Sequence, residues 1–508
     1  MILTKEQIID KMQNMNENGK KIIFATILLI FYFILQIYHL DSITKIWVDE
    51  PWYSNTAFNV SLGKGFANTL VGSGGGDEAF LYTMMLGSFF KMVKITLFSA
   101  RLFSVFLGGI TLILIFFILR KRTSAYLVLI GMFAIVSNSS LYVIFRTARP
   151  EAAGIMFMTT TLYFLLKDRN ILNTTLASLF GYCSFLSHPA YLSVPLGILI
   201  ILIIDFLRER KIKPILAFIM LTIIIILLFI VFIVFVKHQT IAFFFADWFS
   251  RTQTISGNII NEIITKFKNF AKDYSLGIKR FYIMVFELLF PLISFILFRK
   301  ERIIKELSIF ALFFIMFTFV ALSKISLRFF TSVSIPVILI AIISCSSPRL
   351  KGKIKQRVLS VMLILYIINS AAGIPFLIKK EWRTIPYSEI DKKLADVSLS
   401  ASSCATLINF WFPFKEMVSY NEYTRWENTK FSGLEEMFDK EPADMIVISD
   451  YMLCGESTTS GREITQPKKE RFRNYYETLL KETNLNYIFF DSIKTMGYGT
   501  IKIYKKRI

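Results

Sequence analysis

The sequence contains few of the residues that build metal and redox sites. Its 508 residues include only three histidines and four cysteines. These residues do not show the close Cys/His spacing of zinc ligands, so the counts argue against a histidine-based metal site. Acidic residues are also scarce, with 37 Asp and Glu against 58 Lys and Arg. The sequence shows no internal repeat.

The four cysteines divide between two environments. Cys183 and Cys345 lie in long apolar runs, where we expect buried thiols. Cys404 and Cys454 lie in the more polar C-terminal part of the chain. If that part lies in an oxidising compartment, the two cysteines either form a disulfide or remain thiols.

Apolar residues dominate the composition. They make up 54% of the chain, which has 51 phenylalanines, and they occur in long blocks. This pattern is typical of a polytopic membrane protein and not of a soluble fold. The net charge of +21 would fit a nucleic-acid partner, but much of it lies in short clusters between the apolar blocks. We therefore interpret the charge as a topology signal and expect no nucleic-acid partner.

The apolar blocks predict about eleven transmembrane helices, since a span needs about 20 mostly apolar residues. The predicted spans are Ile22–Tyr38, Leu102–Leu119, Ala125–Tyr142, Ala152–Leu166, Leu172–Leu186, Leu192–Leu207, Ile215–Val236, Phe281–Phe298, Leu307–Leu322, Phe329–Cys345 and Val358–Ile378.

Clusters of lysine and arginine fall on one side of these spans, as in Lys20-Lys21 and Arg120-Lys121-Arg122. The positive-inside rule makes that side cytoplasmic, which places the amino terminus inside and the C-terminal tail outside. The first apolar run lacks a small-residue cleavage site, so we expect an uncleaved anchor. High Ile, Lys, Asn and Phe usage indicates an AT-rich genome, and we expect an integral protein of a bacterial inner membrane.

The first predicted external segment, residues 39–100, is too long to be a simple connector. It contains Asp49-Glu50 close to the end of the first span, a glycine-rich hinge at Gly72–Gly76, and Asp77-Glu78. An apolar helix predicted over Ala79–Val93 has polar breaks, so we expect it to lie along the membrane surface.

Two further external segments follow. Residues 237–280 are basic and aromatic, and residues 381–508 differ in composition from everything before them. The fold class predicted is therefore an α-helical polytopic membrane domain over residues 1–380, followed by a small soluble extracytoplasmic α/β domain over residues 381–508. The strand-like runs of that domain are Thr406–Phe410, Met445–Ser449, Tyr487–Phe490 and Thr500–Tyr504, and a helix is predicted around Arg471–Lys481.

The adjacent acids Asp49 and Glu50 have two interpretations. They are either solvated residues that begin a surface helix, or functional groups at the membrane edge. Their aromatic surroundings imply partial desolvation, which is costly for an unpaired carboxylate. A further acid, Glu151, follows Arg149-Pro150 at the predicted outer mouth of the fourth span. Because charges at this depth are expensive unless they are paired or functional, we predict that these residues share one pocket.

The order of these motifs resembles the GT-C superfamily of membrane glycosyltransferases, particularly the branch of protein O-mannosyltransferases and the lipid A aminoarabinose transferase. The resemblance covers residues 22–166 and is topological beyond them. It rests on an Asp-Glu opening of the first external loop, a Leu-x-Tyr-like entry to a surface helix, an Ala-Arg-Leu start to the second span and an Ala-Arg-x-Asp/Glu element at the fourth. Here these are Asp49-Glu50, Phe80-Leu81-Tyr82, Ala100-Arg101-Leu102 and Ala148-Arg149-Pro150-Glu151.

The resemblance implies transfer of a sugar from a polyprenyl-phosphate carrier to an acceptor on the outer side of the membrane, with inversion at the anomeric carbon. A carboxylate can take the acceptor proton, and arginine or lysine can stabilise the leaving phosphate. We predict Asp49 as the base and Glu151 as the second catalytic residue, which positions the sugar or an arginine. The predicted donor-phosphate ligands are Arg149, Arg328, Lys324 and Arg251. The predicted substrate-binding residues are Glu50, Trp52, Tyr53, Glu78, Tyr82 and His188.

Several alternatives accompany these assignments. In one alternative, Arg149 only pairs with Glu151 and stabilises the end of a helix. In another, His188 before Pro189 has a structural role at a helix break. Aminoarabinose-type relatives carry a Lys-Pro-Pro-Leu entry to the surface helix, whereas this chain reads Asp77-Glu78-Ala79-Phe80-Leu81, which leaves the sugar open. We predict no required metal, although some GT-C relatives use one.

The acceptor and the protein class also have alternatives. As the acceptor we favour envelope polysaccharide such as O-antigen, followed by lipid A and then by protein hydroxyls. A transporter would carry acids or lysines near the middle of its helices and two related halves, and we identify neither in the sequence.

Overall fold

The computed structural model describes most of the helical part of the chain and the sheet near its C-terminus. The described residues are 16–47, 49–68, 79–168, 170–236, 264–265, 268, 281–321, 330–347, 353–381, 386–399, 401–406, 410–416, 418–421, 442–449, 477, 480–481, 484, 486–495 and 500–507. The predicted Gly72–Gly76 hinge lies outside them. So do almost all of the predicted loop 237–280 and most of the helix predicted around Arg471–Lys481.

Helices form the body of the molecule. In chain order they are α1 (Glu17–Ile37), α2 (Asp49–Ser61), α3 (Phe80–Phe90), α4 (Leu97–Leu119), α5 (Ala125–Val136), α6 (Ser139–Ile144), α7 (Glu151–Leu165), α8 (Ile171–Ser187), α9 (Ser193–Glu209), α10 (Lys213–Val231), α11 (Phe281–Leu297), α12 (Arg302–Ala321), α13 (Ser334–Cys345), α14 (Lys353–Ala371), α15 (Gly373–Glu381) and α16 (Tyr387–Ser398). Short 3₁₀ turns at Pro189–Leu192 and Thr331–Val333 lead into α9 and α13.

Six of the described helical stretches are long and apolar enough to cross a membrane. They are Glu17–Ile37, Leu97–Leu119, Pro189–Glu209, Lys213–Val234, Arg302–Val320 and Arg357–Lys379. The other predicted spans correspond to shorter helices. The chain is an integral membrane protein, and its predicted helical class is confirmed. The predicted surface helix is α3, which buries Tyr82, Leu86 and Phe90 against its neighbours.

The predicted span Ala125–Tyr142 is divided into two helices. Helix α5 ends at Val136, and α6 begins at Ser139. Asn138 lies between them, and its Oδ1 accepts hydrogen bonds from the backbone N–H groups of Ser140 and Leu141 at 3.0 Å. Asparagine is a preferred N-cap because its side chain satisfies N–H groups that have no partner within the helix. The apolar pattern did not reveal this break.

Glycines allow close packing around the helices that begin at the predicted acids. A Cβ on Gly87 of α3 would lie 2.8 Å from the carbonyl oxygen of Ala57 in α2. A Cβ on Gly154 of α7 would lie 2.4 Å from the ring of Tyr191. Real Cβ atoms do not approach other atoms this closely, so α2 and α7 contact their neighbours at distances that only glycine permits.

The C-terminal part contains a five-stranded mixed sheet in the order β2-β1-β3-β5-β4. Strands β1 and β2 are parallel, as are β1 and β3, whereas β5 is antiparallel to both β3 and β4. Three predicted strands correspond to β3, β4 and β5, and the predicted Thr406–Phe410 run is replaced by β1, which ends at Thr406. Strand β2 was not predicted. The bounds are β1 Ser403–Thr406, β2 Val418–Asn421, β3 Met445–Ser449, β4 Tyr487–Lys494 and β5 Thr500–Lys506.

The sheet domain contacts the segment that carries the predicted acids. Buried Trp411 packs edge-on against Phe58 of α2, with ring centroids 6.1 Å apart. The Ser388 hydroxyl in α16 donates to Asp41 Oδ2 at 2.6 Å. Cys404 is buried in β1, while Cys454 lies outside the described residues, so their pairing stays a prediction.

Candidate active site

Asp49, Arg149 and Glu151 form one ion-pair cluster. Arg149 Nη2 donates to Asp49 Oδ2 at 2.8 Å and to Glu151 Oε1 at 3.0 Å. The side chain of Asp49 is 29% exposed, whereas those of Arg149 and Glu151 are 10% and 2% exposed. Asp49 is therefore the most accessible member of the cluster. Of the residues predicted to share one pocket, these three lie together, although Asp49 and Arg149 are 100 residues apart in the sequence.

Both acids begin helices. Asp49 is the first residue of α2, and Glu151 is the first residue of α7. The N-terminal end of a helix carries unpaired N–H groups and a partial positive charge, which stabilise carboxylates. Pro150 directly before α7 favours this start because its backbone angle is already helical. Local sequence thus places two carboxylates at helix ends that face the same guanidinium.

Arg149 is held in the turn between α6 and α7. Its guanidinium lies 5.5 Å from the ring centroid of Trp47. Although burial lowers the pKa of Arg149, the carboxylates of Glu151 and Asp49 outweigh it, and the pKa lies above its usual value. The group therefore stays positively charged. Its Nε is buried and has no hydrogen-bond acceptor among the described residues.

Glu50 is placed differently from its neighbour. Its Oε1 and Oε2 accept hydrogen bonds from Arg101 Nη2 and Nε, both at 2.8 Å, and both side chains are fully buried. The N–H groups of Trp47 and Ala148 also donate to this carboxylate, at 2.9 Å each. The contact with Trp47, three residues earlier, holds the chain that enters α2. Glu50 thus ties the starts of α2 and α4 to the turn before Arg149.

Two buried residues of the site were not predicted. Arg146 donates to the carbonyls of Ile43 at 2.6 Å and of Tyr38 and His39 at 2.8 and 3.0 Å, and it also contacts the Tyr142 hydroxyl. These carbonyls follow α1, so Arg146 fixes the exit of the chain from the first span. Burial lowers the pKa of Arg146 to about 10. Its spacing of three residues from Arg149 was the available signal.

Tyr191 is the second unpredicted residue. Its hydroxyl donates to the backbone carbonyl of Glu151 at 3.2 Å and forms a 2.7 Å hydrogen bond with the Ser332 hydroxyl. Tyr191 lies in the 3₁₀ turn that follows His188-Pro189. The helix break at His188-Pro189 was the available signal.

The predicted aromatic and histidine ligands make contacts outside the ion-pair cluster. Tyr53 and Tyr82 contact each other edge-on at 6.1 Å, with Tyr82 fully buried and Tyr53 and Trp52 half-buried. His188 ends α8, and its Nδ1 accepts a hydrogen bond from Ala190 N at 3.1 Å. This is the helix-break role given above as the alternative. The substrate contacts of all four residues stay predictions.

The remaining predicted ligands are Arg328, Lys324, Arg251 and Glu78, and all lie outside the described residues. Within the described part of the chain, no group of three His, Cys, Asp or Glu residues is arranged to hold a metal ion. Asp49 and Glu151 converge on a guanidinium instead. The metal requirement therefore also stays a prediction.

Comparison with known proteins identifies the architecture. No family model matches the sequence, and no curated protein matches it significantly. Among solved structures, ArnT from Cupriavidus metallidurans bound to undecaprenyl phosphate superimposes with a TM-score of 0.58 over 94% of this chain and 97% of that one, at 10% sequence identity. The chain has the ArnT fold. The apo structure of ArnT from the same organism gives the same score and coverage at 11% identity.

This similarity confirms the predicted fold class, a helical membrane protein with a small C-terminal sheet domain. It extends across nearly the whole chain, whereas the sequence resemblance was specific only over residues 22–166. At such low identity it establishes the fold alone, and the protein O-mannosyltransferase branch stays a prediction.

Proposed function

We propose that the protein is an inverting glycosyltransferase that moves a sugar from a polyprenyl-phosphate donor to a cell-envelope acceptor. The observation that carries this proposal is the cluster of a partly exposed carboxylate, Asp49, with a buried guanidinium that retains an unused donor. The fold shared with an ArnT structure that binds undecaprenyl phosphate supports the same conclusion.

In the proposed reaction, Asp49 is the general base. The acceptor hydroxyl attacks the anomeric carbon from the side opposite the phosphate, and its proton passes to the Asp49 carboxylate. The new bond joins the acceptor oxygen to the anomeric carbon, while the bond from that carbon to the phosphate oxygen breaks. The leaving lipid phosphate keeps the electron pair. A single displacement of this kind inverts the configuration of the sugar.

Arg149 stabilises the charge that develops on the leaving phosphate. Its Nε is the donor we assign to a phosphate oxygen, while Nη2 holds both acids in place. One guanidinium faces two carboxylates, so the cluster alone cannot neutralise a phosphate. The proposal therefore needs further cations, and Arg328, Lys324 and Arg251 remain the predicted ones. Glu151 orients Arg149 from the start of α7.

We place the reaction on the outer face of a bacterial inner membrane, with the amino terminus in the cytoplasm. The cluster lies at the start of α7, whereas the basic residue Lys167 lies just beyond its end. A helix of this length spans about 22 Å, so the two lie on opposite sides of the helical layer. The positive-inside rule makes the lysine side cytoplasmic.

We propose envelope polysaccharide such as O-antigen as the acceptor, or lipid A, and a protein hydroxyl as the alternative within the same reaction class. The test compares envelope glycans by mass spectrometry from wild-type cells, deletion cells, and deletion cells that express wild-type or Asp49→Asn protein. We expect one sugar to be lost on deletion, to return with the wild-type protein and to stay absent with Asp49→Asn. The mass of that sugar distinguishes a hexose from a pentose.

Asp491→Asn is the matched control, because Asp491 is an exposed acid in β4 of the sheet domain. It should restore the sugar fully. The proposal is wrong if deletion leaves polysaccharide, lipid A and protein glycans unchanged. Unchanged glycans are the result expected if the protein is a transporter of unrelated cargo. It is also wrong if Asp49→Asn restores the sugar as well as the wild type.

A further inference from the structure

A buried acid lies inside α11, away from the ion-pair cluster. The Glu287 side chain is fully buried, and its Oε1 accepts hydrogen bonds from the hydroxyls of Ser334 at 2.5 Å and Tyr366 at 2.7 Å. Ser334 and Tyr366 are themselves buried. A carboxyl group buried inside an apolar helix of a membrane protein is expensive and calls for a functional explanation. This residue corrects the sequence interpretation, which identified no acid or lysine near the middle of the helices.

One arm of the Glu287 network leads to the segment before Arg149. Asn138 Nδ2 donates to the Tyr366 hydroxyl at 3.0 Å. The other end of the same amide caps α6, through the N–H groups of Ser140 and Leu141. Helix α6 continues directly into the turn that carries Arg149. The position of α6 is therefore linked to Glu287 through a tyrosine and an asparagine.

The second arm leads to Glu151. Ser334 begins α13, and the preceding 3₁₀ turn contains Ser332, whose hydroxyl is bonded to Tyr191. Tyr191 in turn donates to the Glu151 carbonyl. A tyrosine hydroxyl has one hydrogen, so Ser332 is the donor to Tyr191 when Tyr191 donates to Glu151. Ser332 in the 3₁₀ turn thus reaches the start of α7, and Ser334 directly after the turn reaches Glu287.

Both ends of residues 138–151 are consequently linked to Glu287. The Asn138 end is linked through Tyr366, and the Glu151 end through Tyr191 and the segment from Ser332 to Ser334. We propose that Glu287 is a positioning residue for sugar transfer, which acts through this network to hold Arg149 and Glu151 in register with Asp49. The inference rests on the proposed function. The role requires an acceptor oxygen at Oε1 and no contact with substrate. A glutamine retains such an oxygen, whereas a leucine of similar size does not.

The test measures kcat and KM for sugar transfer by purified Glu287→Leu, Glu287→Gln and Tyr366→Phe proteins. We expect Glu287→Leu to lower kcat by about 10- to 100-fold with little change in donor KM, because small displacements of catalytic groups have effects of this size. Glu287→Gln should stay within about threefold of wild type. Tyr366→Phe should fall between the two, because it breaks the arm that leads to Asn138 and leaves the hydrogen bond from Ser334 to Glu287 in place.

A double-mutant cycle separates positioning from general stability. If Glu287 acts through the cluster, adding Glu287→Leu to Asp49→Asn should cause little further loss, because the base is already removed. Full additivity of the two losses, or wild-type kcat in both Glu287→Leu and Tyr366→Phe, would overturn the inference. If Glu287→Leu does not fold, the same cycle with Tyr366→Phe decides between these outcomes. An inactive wild-type protein would instead refute the proposed function.

Discussion

Two neighbouring acids, Asp49 and Glu50, occupy opposite kinds of site. Glu50 faces Arg101 in an ion pair whose two side chains are fully buried, and backbone N–H groups fill its remaining acceptor capacity. Asp49 faces Arg149, and its carboxylate remains partly exposed. Successive residues on a helix point about 100° apart, so one step in sequence separates the two environments.

The difference shows how one helix start can serve structure and chemistry together. A buried pair with all its hydrogen bonds made has no capacity left for a substrate, whereas removal of one partner leaves an uncompensated charge. The open pair lies where a ligand can reach the carboxylate. We therefore assign stability to Glu50 and Arg101, and sugar transfer to Asp49 and Arg149. Three predictions separate these roles.

Breaking the closed pair should have the largest effect on folding. We expect Arg101→Met to lower the free energy of unfolding by about 3–5 kcal/mol, because Glu50 is left buried without its partner. Thermal unfolding of the detergent-purified protein measures this. The double variant Arg101→Met/Glu50→Leu should recover part of the loss, since it removes the unpaired charge. Unfolding of Arg101→Met at the wild-type temperature would contradict the assignment.

Altering the open pair should instead affect catalysis. Arg149→Lys keeps the positive charge but loses the planar guanidinium. A lysine therefore cannot hold both acids and also donate a further hydrogen bond to a phosphate, as we propose for Nε of Arg149. We expect kcat/KM for transfer to fall by about 10- to 100-fold. Arg302→Lys is the control, because Arg302 also forms an ion pair, with Glu306, but lies at the start of α12. Equal activity of the two variants would contradict a special role for Arg149.

The smallest expected effect on catalysis comes from the far end of α2. Trp411→Ala removes the aromatic contact with Phe58, and such contacts contribute about 0.5–1.5 kcal/mol beyond burial. We expect faster amide hydrogen exchange in α2 and a twofold to tenfold lower kcat, given that size of energy. Phe489→Ala removes the exposed Phe489 ring from β4 and should leave both unchanged. Unchanged exchange in Trp411→Ala would show that the sheet domain does not hold α2.

Much of the fold could be predicted from composition, because apolar runs about as long as a bilayer is thick require helices. The break at Asn138 could not, since an N-cap depends on a side chain that also appears in ordinary apolar segments. In the site, Asp49, Arg149 and Glu151 were predicted from motifs at known positions relative to the spans. Tyr191 was missed because its partners are distant in sequence.

The sequence assigned the base to Asp49 and a supporting role to Glu50, but it did not show what distinguishes the two surroundings. Both are acids at the same membrane edge, and only the three-dimensional positions of Arg101 and Arg149 distinguish them. The buried acid Glu287 was missed for a related reason. A single carboxyl group in an apolar run carries no pattern, and its partners Ser334 and Tyr366 come from other helices.

The most direct test of the central claim measures Asp49→Asn and Glu50→Gln side by side, for both sugar-transfer rate and unfolding temperature. We predict that Asp49→Asn lowers kcat by about 10²- to 10⁴-fold, as for loss of a general base, and unfolds close to the wild-type temperature. Glu50→Gln should unfold at a clearly lower temperature. Two results would contradict the claim that Asp49 is the base. One is transfer by Asp49→Asn at the wild-type rate, and the other is a loss of its activity that is fully explained by a lower unfolding temperature.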